Sequence, residues 1–72
     1  MEDRKQKAMN NAYTKGRETG AKIGAGVANR RATVKTARSL RGLVRRAAVA
    51  GEDTPATMLL AGIADGLTRG VE

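Results

Sequence analysis

The chain has 72 residues, and its 14 Lys and Arg against 7 Asp and Glu give a formal net charge of +7. It has no Cys and no His, which excludes a disulfide framework and makes the common structural zinc sites untenable. Leu, Ile, Val and Phe together number twelve, below the roughly 20% at which independent folding of a highly charged chain becomes doubtful. We therefore expect one small domain that is stabilised as a homo-oligomer or as a subunit of a larger complex.

The positive charge favours an anionic partner, either nucleic acid or an acidic protein surface. No apolar run reaches the roughly 18 to 20 residues of a membrane span, and no signal-peptide core follows the first residues. A membrane partner is therefore disfavoured. We expect a protein of the cytoplasm or of a virion interior that is not secreted by a signal peptide.

Residues 3–23 are predicted to form the first of two or three short helices in an all-α fold. Large and small residues recur at steps of three and four along it, a narrow seam that permits close approach of another backbone. The members of this seam are Met9, Tyr13, Gly16, Gly20, Ile23 and Val27. Alternatively, the glycines weaken the helix and leave it frayed until it binds a partner. A hinge is expected near residues 24–26, which divides the chain into a basic, glycine-rich arm of residues 1–28 and a second unit of residues 29–72.

Residues 29–50 are predicted to form the second helix, and this helix carries the main functional signal. At 100° per residue, seven cations fall within one half of its circumference. They are Arg30, Arg31, Lys35, Arg38, Arg41, Arg45 and Arg46. No acidic residue occurs from Thr19 to Gly51, so these cations lack the carboxylate partners that neutralise an ordinary solvated helix face. The pattern predicts contact with nucleic-acid phosphates, and a merely solubilising face is the alternative.

Aromatic residues that could stack on bases are almost absent, since Tyr13 is the only one in the chain. A single-strand stacking platform is therefore disfavoured. Contact with the backbone of duplex DNA or of structured RNA fits the composition better.

The third predicted helix covers residues 54–69 and starts at Thr54 as N-cap, with Pro55 at the first helical position. Gly51 is expected to take the left-handed conformation that ends the preceding helix, so that the two helices form a hairpin. Their apolar arcs would then bury each other through Leu40, Leu43, Val44, Ala47, Leu59, Leu60, Ile63 and Leu67. The remaining arc of the third helix, with Thr57, Asp65, Thr68 and Arg69, is expected to be solvent-facing.

Gly62, Gly66 and Gly70 form a second four-residue series. We expect it to be a close-packing seam for a neighbouring subunit, and a simple source of helix weakness is the alternative.

The segment from Thr33 to Lys35, followed by a helix to Ala50, Gly51 and a helix opened by Thr54, resembles the ribbon-helix-helix repressors over about 40 of the 72 residues. That resemblance implies a strand at residues 31–35 and a dimer whose two-stranded ribbon enters the major groove. A DNA-binding repressor of this kind is a minor alternative.

Catalysis is not expected. There is no His or Cys, Ser39 is the only serine, and no phosphate-binding loop, dinucleotide fingerprint or metal-ligand spacing occurs. The adjacent acids Glu52 and Asp53 are interpreted as complements to a helix dipole rather than as a catalytic pair. We expect no cofactor and no metal.

The leading hypothesis is a non-enzymatic protein that oligomerises through Ala and Leu faces and binds nucleic-acid backbone with its arginine-rich helix. The main alternative is a structural component of a larger assembly, such as a phage particle or a secretion complex, whose arginines meet acidic protein or packaged genome. An amphipathic peptide that acts at anionic membranes is a third, weaker possibility.

Overall fold

The computed structural model describes residues 2–52 and 54–71, with the side chains of residues 4–52 and 54–71. Within these residues the chain forms three helices, α1 (Glu2–Ala25), α2 (Arg30–Val49) and α3 (Pro55–Val71). The all-α prediction is confirmed, and every helix end lies within two residues of its predicted place. Asp53, which was interpreted as a dipole complement together with Glu52, lies outside the described residues.

The start of α2 overturns the strand that the repressor resemblance implied. The side-chain oxygen of Asn29 accepts a hydrogen bond of 3.0 Å from the N–H of Ala32, and the Thr33 hydroxyl donates to the Asn29 carbonyl at 2.9 Å. These contacts cap a helix and place residues 31–35 in its first turns, because the orphan N–H groups there find a partner locally. The expected strand is absent from the described residues, so the strand that this resemblance implied is wrong and residues 31–35 belong to α2.

The turn between α2 and α3 is fixed by local chemistry, as predicted. Gly51 has a φ of +76°, and the N–H groups of Gly51 and Glu52 donate to the carbonyls of Ala48 and Ala47 at 3.1 and 2.8 Å. This arrangement is a Schellman motif, in which the left-handed residue favours glycine. Thr54 then caps α3, since its hydroxyl accepts from the N–H of Thr57 at 3.2 Å.

Thr57 was expected on the solvent side of α3, and that expectation is wrong. Its side chain is buried, and its hydroxyl donates to the carbonyl of Glu52 at 3.0 Å. The hydroxyl thereby satisfies a carbonyl at the end of the turn, which a helical wheel does not show because the partner lies outside the helix.

The closest packing in the molecule joins α1 to α3 through two glycine series. A Cβ added at Gly16, Gly20 or Gly24 would lie 2.3 to 2.7 Å from a carbonyl oxygen of α3, and a Cβ at Gly62, Gly66 or Gly70 would lie 2.1 to 2.5 Å from one of α1. Since no real Cβ sits so near a backbone oxygen, only glycine permits this approach. The order of the contacts along both helices shows that α1 and α3 run parallel.

The close approach expected of the first helix is therefore present, but its members and its partner differ in part from the prediction. Gly24 continues the series after Gly20, whereas Ile23 lies beside the contact and stays 51% exposed. The series at Gly62, Gly66 and Gly70 packs on α1 of the same chain and not on a neighbouring subunit, because α1 fills the groove that these glycines leave.

The hinge was expected near residues 24–26. In the structure Gly24 is helical, α1 ends at Ala25, and residues 26–29 lead to α2. Separate behaviour of residues 1–28 stays a prediction.

The other side of α3 packs on α2, and the small core lies there. Ala37 and Ala64 are fully buried and Leu67 is 6% exposed, with Leu40 and Ile63 packed against them. Gly62 faces α1 and Ala64 faces α2, and two residues turn a helix by about 200°. The two outer helices therefore flank α3 on opposite sides and hardly touch each other. The fold is one layer of helices in the order α1, α3, α2, with Cα extents of 43 × 22 × 13 Å.

Candidate nucleic-acid interface

The seven predicted cations of α2 all have exposed side chains and lie on the side of the helix turned away from the core. We call this set the basic face, and it consists of Arg30, Arg31, Lys35, Arg38, Arg41, Arg45 and Arg46. The burial of Thr33 and Ala37 against α3 fixes the rotation of α2 about its axis. The charges point outward because the small residues of the opposite half are the ones that fit against α3.

Six of the seven cations have no carboxylate of the described side chains within salt-bridge distance. The structure shows one ion pair among the described side chains, between Arg41 and Asp65, with Nη2 and Oδ1 3.1 Å apart. Helix α2 itself has no acidic residue to supply intrahelical partners. Like charges on successive turns repel each other, so binding of an anion to this face relieves an unfavourable interaction.

Arg41 differs from the other six because it belongs to a polar cluster that joins all three helices. Its guanidinium donates to Asp65 at 3.1 Å and to the Thr68 hydroxyl at 3.2 Å, and the hydroxyl of Tyr13 on α1 donates to the other oxygen of Asp65. One carboxylate of the central helix thus binds a donor from each outer helix. Arg41 is better described as a link between α2 and α3 than as a cation available to a ligand.

The cluster shifts two pKa values in opposite directions. The hydrogen bond from Tyr13 is the main cause that lowers the pKa of the Asp65 carboxyl, and Arg41 lowers it further, although partial desolvation opposes both. The same hydrogen bond is the main cause that raises the pKa of the Tyr13 hydroxyl, followed by desolvation and the charge of Asp65. The hydrogen bond therefore stabilises the ionised form of Asp65 and the protonated form of Tyr13.

Sequence reasoning missed this cluster. Asp65 was placed on a solvent-facing arc, and Tyr13 was treated only as part of a seam. The two glycine series carried the signal: Tyr13 precedes Gly16 by three residues and Asp65 follows Gly62 by three, and the pairing of the series brings both side chains to the same side of the layer. Tyr13 and Asp65 line a depression on this side of the layer, and Arg17 and Arg69 line it beside them.

A second depression lies on the basic face itself. Its walls are Arg30, Arg31, Lys35 and Arg38, with the half-buried Val34 between them, and it encloses about 480 Å³. The stems of these long side chains cover an apolar floor while their charged ends stay in water. The depression is open to solvent along the helix and is not a closed cavity.

The eight residues predicted as an interface are divided by the fold. Leu67 lies in the core, while Leu40, Val44, Ala47, Leu59 and Ile63 are half-buried at the contacts of α3 with its neighbours. Leu43 and Leu60 are 53% and 38% exposed. The hairpin contact of α2 and α3 therefore accounts for part of this set and leaves two leucines facing solvent.

The described residues contain no group of three His, Cys, Asp or Glu side chains arranged to hold a metal ion. None of the described helices combines the length and apolarity needed to cross a bilayer. Comparison with protein-family models, with curated proteins and with solved structures gave no match to this chain.

Proposed function

We propose that this chain is a non-enzymatic protein of the cytoplasm or of a virion that binds the phosphate backbone of duplex nucleic acid with the basic face of α2 and works as an oligomer. The observation that carries the proposal is the set of six exposed cations on one face with no carboxylate partner among the described residues. Five of the six are arginines, whose planar guanidinium suits bidentate contact with phosphate.

The length of the basic face agrees with such a ligand. From Arg30 to Arg46 it spans about 24 Å of helix axis, the rise of roughly seven base pairs. An α-helix also fits the major groove of B-DNA. Asn and Gln, the side chains that read adenine edges, are absent from α2, and so are Asp and Glu. Adenine and cytosine edges therefore lack their usual partners on this helix. Arginine also reads guanine, and we propose that the arginines here contact phosphates, so that binding depends on the backbone and discriminates little between sequences.

The lack of stacking groups supports a duplex over a single strand. Tyr13 is the one aromatic residue, and its hydroxyl is bound to Asp65 on the side of α1 that packs near α3. Stacking on aromatic rings supplies much of the affinity of single-strand binders. A chain whose only ring is engaged within its own fold lacks that contribution.

The test is a salt titration of binding to a duplex, with the charge-reversed variant Arg38→Glu/Arg45→Glu and the matched variant Lys5→Glu/Lys7→Glu near the start of α1. The first should abolish binding and the second should weaken it by less than about tenfold, because only the first lies on the basic face. If six phosphates are contacted, the slope of log K against log salt should be near −5. No binding of the parent chain at low salt, or equal losses in the two variants, would count against the proposal.

The alternative of a structural component in a phage particle or a secretion complex places the same arginines against acidic protein. The thin core favours a chain that depends on neighbours, since no large side chain of the described residues is fully buried. A competition experiment with an acidic polypeptide separates the two functions. If the polypeptide displaces the duplex only at large excess, nucleic-acid binding is supported. If the chain binds the polypeptide tightly and has no affinity for the duplex, the structural role is supported.

A further inference from the structure

One side of the three-helix layer is apolar, and the polar cluster identifies which side it is. Tyr13, Arg41 and Asp65 meet on one side of the layer, so residues about half a turn away on each helix lie on the other. Ile63 is two residues from Asp65 and Leu43 is two residues from Arg41, which places both about 200° around their helices. On α1, Tyr13 precedes Gly16 by three residues and Ile23 precedes Gly24 by one, which places the two side chains on opposite sides of the glycine contact with α3. The apolar face formed in this way consists of Ile23, Leu40, Leu43, Leu60 and Ile63.

This face leaves three large aliphatic side chains exposed. Ile23, Leu43 and Leu60 are 51%, 53% and 38% exposed, and each comes from a different helix. Isolated exposed aliphatic side chains are ordinary, but a patch that crosses all three helices is typical of an interaction site. A single layer of helices also has no second layer to enclose its core, whereas stable domains are built from two.

We propose that a second copy of this chain covers the apolar face, so that the two layers pack back to back around a two-fold axis. The inference rests on the oligomeric part of the proposed function and names the surface that performs it. None of the five residues of the apolar face is charged, so an acidic protein or a nucleic acid would find no cation there. Two chains that each carry +7 repel each other least when their basic faces point away from the contact.

The dimensions of the layer fit this occupant. The two longer Cα extents, 43 and 22 Å, outline roughly 950 Å² for the whole side of the layer, so a contact that covers most of this side reaches the ~800 Å² per partner of a standard-size interface. A two-fold contact is isologous, so each apolar residue meets the same patch of the other copy. The resulting six-helix assembly has the two layers that one chain lacks.

The test measures mass by sedimentation equilibrium over a range of protein concentrations. The parent chain should reach twice its 7.6 kDa. Leu43→Glu and Leu60→Glu should each raise the dimer dissociation constant at least about tenfold, since a two-fold axis places each new carboxylate in the contact twice. Val49→Glu is the matched control, because Val49 is 86% exposed but lies on the basic side of α2, and it should leave the mass unchanged.

A second measurement guards against misfolding of the glutamate variants. Because the chain has no Cys, Leu60→Cys and Val49→Cys each carry a single thiol for a short bifunctional cross-linker. Covalent dimers should form through Leu60→Cys and not through Val49→Cys. The inference would be overturned if the parent chain keeps a single-chain mass at all concentrations, whether or not it binds anionic vesicles. It would also be overturned if both leucine variants associate as strongly as the parent chain. Duplex binding by such a single chain would leave the proposed function standing.

Discussion

At the scale of single residues, Asp65 contacts both outer helices, because its two oxygens accept from Tyr13 of α1 and Arg41 of α2. The carboxylate is about 41% exposed, so water screens the ion pair and its free energy is modest. The two hydrogen bonds are compatible with only one rotation of α3, the one that the glycine contacts and the core also require.

The lowered pKa of Asp65 predicts an acid-dependent loss of stability. The folded-state pKa lies below the unfolded value, so the contribution is fully present above the unfolded pKa of about 3.8 and is lost as pH falls through the folded pKa. The variant Asp65→Asn resembles the protonated form at every pH. We expect the parent chain to have the higher melting temperature at pH 6 and this gap to shrink below pH 4, measured by circular dichroism. A gap that stays constant from pH 6 to pH 2.5 would show that the charge of Asp65 does not matter.

Arg41 should behave differently from its neighbours on the basic face. Because Asp65 and Thr68 already bind its guanidinium, Arg41→Gln should change the salt slope of duplex binding by well under one unit while costing about 0.5 to 1 kcal/mol of stability. Arg38→Gln is the matched control: it should lower the slope by about 0.9 and leave the urea midpoint unchanged. Equal slope changes in the two variants would mean that Arg41 leaves Asp65 to contact phosphate.

At the scale of helices, the α1–α3 pair depends on glycine for a steric reason that one substitution tests. In Gly20→Ala the new Cβ would lie 2.3 Å from the carbonyl oxygen of Ile63, which is backbone and cannot move aside, so the helices must separate. We expect a loss of about 1 to 3 kcal/mol in urea unfolding, even after the gain in helix propensity. Gly42→Ala is the control, because nothing lies within 4 Å of that site, and it should stabilise α2 by about 0.5 to 1 kcal/mol. A stabilised Gly20→Ala would contradict the close approach.

The helices themselves could be predicted because their signals are local. Thr54 and Pro55 open α3, and Gly51 closes α2, through atoms within five residues of each other. The partner of the glycine series could not be predicted in the same way. Four-residue spacing shows that a backbone approaches, but not whether that backbone belongs to the same chain. Asp65 was misplaced for a related reason, since a helical wheel separates polar from apolar sides and does not register a polar residue whose donors lie on other helices.

At the scale of the whole molecule, the apolar face and the basic face have different roles because they occupy different parts of the layer. The apolar face lies on one side of the layer, whereas the basic face lies along its outer edge, on the part of α2 turned away from α3. Two copies paired through their apolar faces would therefore keep both basic faces outside the contact. With one basic face on each copy, such an assembly can hold two duplexes at once.

This arrangement predicts that the parent chain bridges DNA. Duplex immobilised on beads should capture a second, fluorescent duplex when the parent chain is added, because each copy binds one of them. Leu43→Glu should abolish the capture yet keep the single-duplex salt slope near −5, since the basic face of each separate chain is unchanged. Arg38→Glu/Arg45→Glu should remain a dimer by sedimentation and lose both capture and binding. If Leu43→Glu has a single-chain mass and still captures the second duplex fully, a single chain bridges the two duplexes, and bridging does not depend on the dimer.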